Sequence, residues 1–120
     1  MDKRFGFEKL VVWQKARVFV GEIYGAVVDF PDYEKFGLSN QLRRAGVSIA
    51  SNIAEGANRS SANDKARFYE LAFGSLMEVV NQLIIAHDLG FLSDGLYEDL
   101  MAQAHEIAAM LSALKNSIKQ

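Results

Sequence analysis

The residues with the most chemistry to offer are two histidines, a cluster of serines and three arginines around the middle of the chain. A helical di-metal site needs inward carboxylates and a Glu three residues before each histidine. His87 is preceded at that spacing by Ile84 and His105 by Ala102, so neither histidine has the partner. There is no His-Glu-x-x-His pattern, no glycine loop to cradle a phosphate and no cysteine, which removes thiolate ligands, thiol nucleophiles and disulfides together. Ser48, Ser51, Ser60 and Ser61 lie close together, but no local motif ties either histidine to them as a base, and serine near a helix end usually caps it. His87 falls on the apolar side of its helix near the C-terminus, where a backbone carbonyl or the helix dipole accounts for it. His105 falls on an outer face. The expectation is a protein that is not an enzyme, with no metal and no cofactor.

What remains is a stripe. Gln41, Arg44, Ser48, Ser51, Asn52 and Glu55 recur at helical spacing about a quarter-turn from an apolar face, and Arg59 lies just beyond. Arg43 sits on the other flank with Ala50 and Ala54. A solvated face is ordinarily rich in Lys and Glu, whereas this one is short and hydrogen-bonding. Two readings stand side by side: an ordinary polar exterior, and an interface in which small side chains allow close approach.

These residues need helices to position them, and the breaks are clear. Phe30-Pro31 starts a loop, because the residue before proline is pushed out of the helical region. Gly37 precedes Ser39 and Asn40, either of which can cap a helix. Gly56 to Ser61 makes a second break, with Asn63 as the next cap. Gly90 suits a left-handed helix end, and Ser93 caps the last helix. The predicted helices cover 9–30, 39–56, 63–89 and 93–118. Apolar periodicity supports each one: Leu10, Trp13, Val20, Tyr24 and Val27; Leu38, Leu42, Ala45, Ile49 and Ile53; Tyr69, Ala72, Phe73, Leu76, Val80 and Leu83; Leu96, Leu100, Ile107, Leu111, Leu114 and Ile118. Short loops make consecutive helices run up and down, so the expected fold is all-α, an antiparallel up-down four-helix bundle forming a single domain over 1–120. Trp13, Tyr24, Leu42, Ile49, Phe73, Leu76, Leu100 and Leu111 are its expected core.

The first helix has a second apolar stripe, Val12, Phe19, Ile23, Ala26 and Phe30, beside the Trp13 stripe. Phe68 and Val79 flank the Leu76 stripe, with Leu71 further round. Surplus apolar surface is most simply hidden by self-association. The expected oligomer interface is therefore Val12, Phe19, Ile23, Phe30, Phe68, Leu71 and Val79, with Ser48, Asn52 and Glu55 from the polar stripe.

Charge bounds the partners. The 120 residues carry a net charge of −2, against any whole-surface attraction to nucleic acid. Residues 1–60 hold nine Lys/Arg against seven Asp/Glu, and residues 61–120 hold four against eight, balances of +2 and −4. A polyanion would prefer the first half. Charges scattered through Met1–Leu10 leave no secretory signal, and no apolar run reaches the ~18 residues of a membrane span. No membrane association and a cytoplasmic location are expected.

Several motifs together resemble a family. They are Phe7-x-x-Leu10-x-Val12-Trp13-Gln14-x-Ala16 and Phe30-Pro31-x-x-Glu34-x-Phe36-Gly37-Leu38, then Gln41-x-Arg43-Arg44-Ala45-x-x-Ser48-Ile49-x-x-Asn52-Ile53-Ala54-Glu55-Gly56-x-x-Arg59, and finally Gly74-Ser75-Leu76-x-Glu78 and Leu89-Gly90. The chain resembles the bacterial four-helix-bundle proteins named after 23S ribosomal RNA intervening sequences, and is similar in fold to accessory proteins of diversity-generating retroelements. The resemblance implies a homopentameric ring, a coding context in or near ribosomal RNA genes for some members, and association with RNA. In the retroelement relatives a basic ring surface contacts reverse transcriptase and RNA; a pI of about 5.6 departs from that pattern. Arg43, Arg44 and Arg59 match the motif and are the candidate nucleic-acid contacts. The partners so implied are further copies of the chain and RNA or a nucleic-acid-processing protein. A homo-oligomeric scaffold that binds protein without nucleic acid is the alternative. No platform for base stacking is evident, so sequence-specific RNA reading is not expected.

Overall fold

The computed structural model describes residues 1–118. Four helices make up the fold: α1 Val11–Val27, α2 Leu38–Ala57, α3 Ala62–Asp88 and α4 Asp94–Asn116. A 3-10 turn at Gly6–Lys9 precedes α1, and another at Asp32–Glu34 lies between α1 and α2. Each helix packs on its neighbours in sequence, and α1 also packs on α4, which closes the antiparallel four-helix bundle. Its long dimension of 43 Å is set by α3, whose length at 1.5 Å per residue is roughly 40 Å. Among the described residues, α3 alone is long and apolar enough to cross a membrane by length and composition; here part of its apolar surface lies in the bundle core, with Leu76, Val79 and Leu83 buried and Leu71, Met77, Ile84 and Ile85 exposed.

The helix ends show which local signals won. α1 stops at Val27, where the Phe30 amide donates to the Val27 carbonyl at 3.1 Å ahead of Pro31. Neither Ser39 nor Asn40 caps α2. The Glu34 carboxylate does so from the preceding turn, accepting the Leu38 amide at 3.3 Å. α3 starts one residue before the position expected from Asn63, because Ser61 Oγ accepts the Asp64 amide at 3.1 Å. Ser93 caps α4 as expected, accepting the Leu96 amide at 3.2 Å. Gly90 has the left-handed φ of 80°. The Phe91 amide reaches back to the Ala86 carbonyl at 2.9 Å, the six-to-one bond of a glycine helix stop.

One continuous core runs through all four helices. Leu42, Ile49, Leu76, Leu100 and Leu111 are fully enclosed, as their spacing predicts. The first helix is phased differently from the expectation. Its buried face is Val12, Ala16, Phe19, Ile23, Ala26 and Val27, the last of these from the expected stripe, continued by Phe30 in the turn beyond. Trp13 is half-buried at the rim and Tyr24 is exposed; Phe73 is likewise half-buried on α3. The reason is chemical as well as geometric. The Trp13 stripe carries an indole N–H and a phenol O–H that keep access to water at a rim, while the other stripe is purely apolar, with alanines where helices approach. Val12, Phe19, Ile23, Phe30 and Val79 are thus core residues of one chain, not surplus surface, and they cannot form the interface expected of them.

Candidate functional site

The polar stripe of α2 faces α3 and makes one wall of a groove. Gln41, Arg44, Ala45 and Ser48 line one side and Ser75, Glu78 and Gln82 the other, around a cavity of about 350 Å³. The helices approach closely because small residues sit between them. A Cβ on Gly56 would lie 2.7 Å from Tyr69 Cε1 and 3.1 Å from Phe68 Cβ. Further up, Ser48 Oγ and Ser75 Oγ share a hydrogen bond of 2.8 Å. Asn52 Nδ2 donates to the Ser48 carbonyl at 2.9 Å and to Ser48 Oγ at 3.1 Å. Ser48 and Asn52, expected at an interface between copies, therefore spend hydrogen bonds inside the chain. An amide is no proton acceptor at neutral pH, so Asn52 cannot serve this serine pair as a base.

At the deep side of the groove Gln82 is 8% exposed and its Oε1 has no hydrogen-bond partner. An unmatched buried acceptor costs about 1–3 kcal/mol. Helical periodicity does not mark Ser75, Glu78 and Gln82 as a site. It carries only a partial signal: Ser75 and Gln82 are seven residues apart, two helical turns, on the otherwise apolar side of α3.

The three arginines do not converge. Arg43 lies on the α1 flank and its Nη2 donates to the Lys35 carbonyl at 3.3 Å. Arg59, just past the far end of α2, bonds Glu55 Oε2 at 2.8 Å and stacks over Phe68 with Cζ 4.6 Å from the ring centre. Arg67 stacks over the same ring at 4.5 Å, which places Phe68 beneath two guanidinium groups. Glu55 is occupied by Arg59 and does not face a neighbouring copy unpaired. Arg44 lies at the groove edge and, among the described residues, enters no ion pair. Sixteen residues separate Arg43 from Arg59, roughly 24 Å along a helix axis, so no one phosphate can take both.

His87 is not held by a backbone carbonyl. Its Nε2 lies 2.7 Å from Asp94 Oδ1, and its ring stacks on Tyr97 at 4.1 Å with 8° between planes. The end of α3 is thereby clasped to the start of α4. His105 is exposed. Among the described residues no three His, Asp or Glu side chains gather as a metal site. Burial pushes the Tyr69 phenol above its ordinary value, which follows from its place in the core, not from a catalytic partner.

A family model described as 23S rRNA-intervening sequence protein matches residues 8–113. Among solved structures, the chain is similar to a protein with unknown function from the S23 ribosomal protein family of Bacteroides thetaiotaomicron. The two share 24% sequence identity with a TM-score of 0.80, over 89% of this chain and 100% of that one, a likeness of fold. Among curated proteins no relative matches.

Proposed function

This chain belongs to the 23S rRNA-intervening sequence protein family, and we propose that it is a non-enzymatic, cytoplasmic accessory protein that works as a homo-oligomer and associates with RNA. The observation carrying this reading is the apolar surface that the bundle leaves uncovered. Leu71, Met77, Ile84 and Ile85 on α3 are each 40–46% exposed, and Val28 and Phe36 in the segment after α1 are 78% and 86% exposed. Apolar surface of this kind is hidden by association, and copies of the same chain are the commonest partner. The motif resemblance sets the expected number of copies at five. Association with RNA is supported by the family's description and by Arg44, whose guanidinium enters no ion pair among the described residues.

The internal commitments of Arg43 and Arg59 favour the second reading, a homo-oligomeric scaffold for another protein without nucleic-acid contact. Sedimentation equilibrium and RNA binding, measured on the wild type and on the double variant Arg43→Ala with Arg44→Ala, separate the two. An intact assembly with weakened RNA binding assigns the arginines to RNA. Loss of the assembly assigns them to the contact between copies. An assembled wild type that binds no RNA at low salt leaves the scaffold reading, and a monomeric wild type removes both.

A further inference from the structure

Phe36 is an apolar side chain outside the core of its own chain, where its one aromatic-face neighbour among the described residues is the Lys35 ammonium, 5.5 Å from the ring centre. It is 86% exposed, near Tyr33 at 77%, in the segment between α1 and α2. Elsewhere on the α1–α2 pair lies a hollow of matching chemistry. Phe7 and Trp13 form one end of it, Val20 and Val47 the other, with Ala50 and Ala54 as its floor, around about 320 Å³. The groove is open to solvent, and its volume exceeds the ~150 Å³ of enclosed apolar space that holds a benzene ring, so an aromatic side chain has room to settle on it. We infer that Phe36 of one copy inserts into the α1–α2 groove of the next, so that copies join head to tail. This contact rests on the self-association reading above and specifies its geometry.

Charge selects a second copy as the occupant. The segment from Asp29 to Phe36 carries Asp29, Asp32 and Glu34 against Lys35, three minus one, a net −2. The groove is bordered by Arg17, whose guanidinium lies 5.6 Å over the Trp13 ring. Among the described residues Arg17, Asp29 and Asp32 enter no ion pair. An acidic turn led by an aromatic ring thus meets an apolar groove with a cationic rim. The groove of the same chain is out of reach, because Leu38, where α2 begins, is already roughly 13 Å from Val47 along the axis. Two different patches on one chain make a heterologous contact, which closes into a ring or runs on as a filament.

Phe36→Asp and Val47→Asp change exposed positions at the knob and the groove, and circular dichroism checks that each variant keeps its helices. Under conditions where the wild type is assembled, sedimentation velocity should show each variant alone at the 13.3 kDa monomer. A mixture of the two keeps one good knob and one good groove, and should form a two-chain species and nothing larger. Trp13, the only tryptophan, reports the same event: its emission should shift to the red in Phe36→Asp and return about halfway in the mixture, where one groove of the two is filled. Phe36→Leu should retain the assembly. If Phe36→Asp keeps the wild-type mass, or if the mixture stays monomeric, the head-to-tail contact is wrong while self-association stands. A monomeric wild type overturns both.

Discussion

Two glycines in the same chain do opposite work. Gly56 is the point of closest approach between α2 and α3, with Tyr69 carbon atoms 2.7 and 2.9 Å from where a Cβ would sit. Gly74, in the middle of α3, has nothing within 4 Å of that position. Gly56→Ala should therefore destabilise the bundle by about 1–3 kcal/mol, the usual effect of overpacking a filled site. Gly74→Ala should stabilise it by about 0.5–1 kcal/mol, the helical difference between the two residues. Urea unfolding of both variants checks the pair, and a loss at Gly74 would place a neighbouring copy's atoms against that face. At this scale the α2 side of the candidate site was legible, since Gln41, Arg44, Ser48 and Asn52 recur at helical spacing. The α3 side was not. Ser75, Glu78 and Gln82 lie 27 or more residues after Ser48, and only the packing of two helices makes them one groove.

At the scale of the elements, burial divides along lines that periodicity alone does not draw. α3 and α1 each carry more than one apolar stripe. On α3 the side chain of Leu76 is fully enclosed, at 0% exposure, and Leu76→Ala should cost roughly 2–5 kcal/mol by the same unfolding measurement. A cost below about 0.5 kcal/mol is a surface value and would contradict the packing of α3. On α1 two stripes about 100° apart repeat every 3.6 residues, and each satisfies the helical pattern equally well. The fold buries Phe19 and Ile23 and leaves Tyr24 45% exposed, the reverse of the order expected when Trp13 and Tyr24 are read as core. The capping of α2 belongs at the same scale. Glu34 holds its first turn from across the loop, an arrangement that depends on the 3-10 turn between Pro31 and Lys35 and not on the residue at the usual cap position.

For the whole molecule the deciding quantity is charge. A net −2 on each chain gives no general attraction to a polyanion, so any RNA contact must come from a local guanidinium repeated by the assembly. Binding should then fall steeply with salt and differ little between two unrelated RNAs of equal length. Removing Arg44 should lower the slope of log affinity against log salt by about one for each phosphate that loses its guanidinium. Fluorescence anisotropy across a salt series measures this; a strong preference between the RNAs, or a slope unchanged in Arg44→Ala, contradicts it.

Helix number, helix boundaries to within a few residues, the absence of cysteine chemistry and most of the core follow from the sequence by itself. Each is a local property: spacing along one helix, a proline, a glycine, a serine cap. Which stripe of α1 faces inward, that Arg59 stacks on Phe68 of α3, and that His87 clasps Asp94 are decided only in the tertiary structure. They depend on the rotation of a helix about its own axis against its neighbours, and a helix with two apolar stripes leaves that rotation open until three other helices fill the space around it.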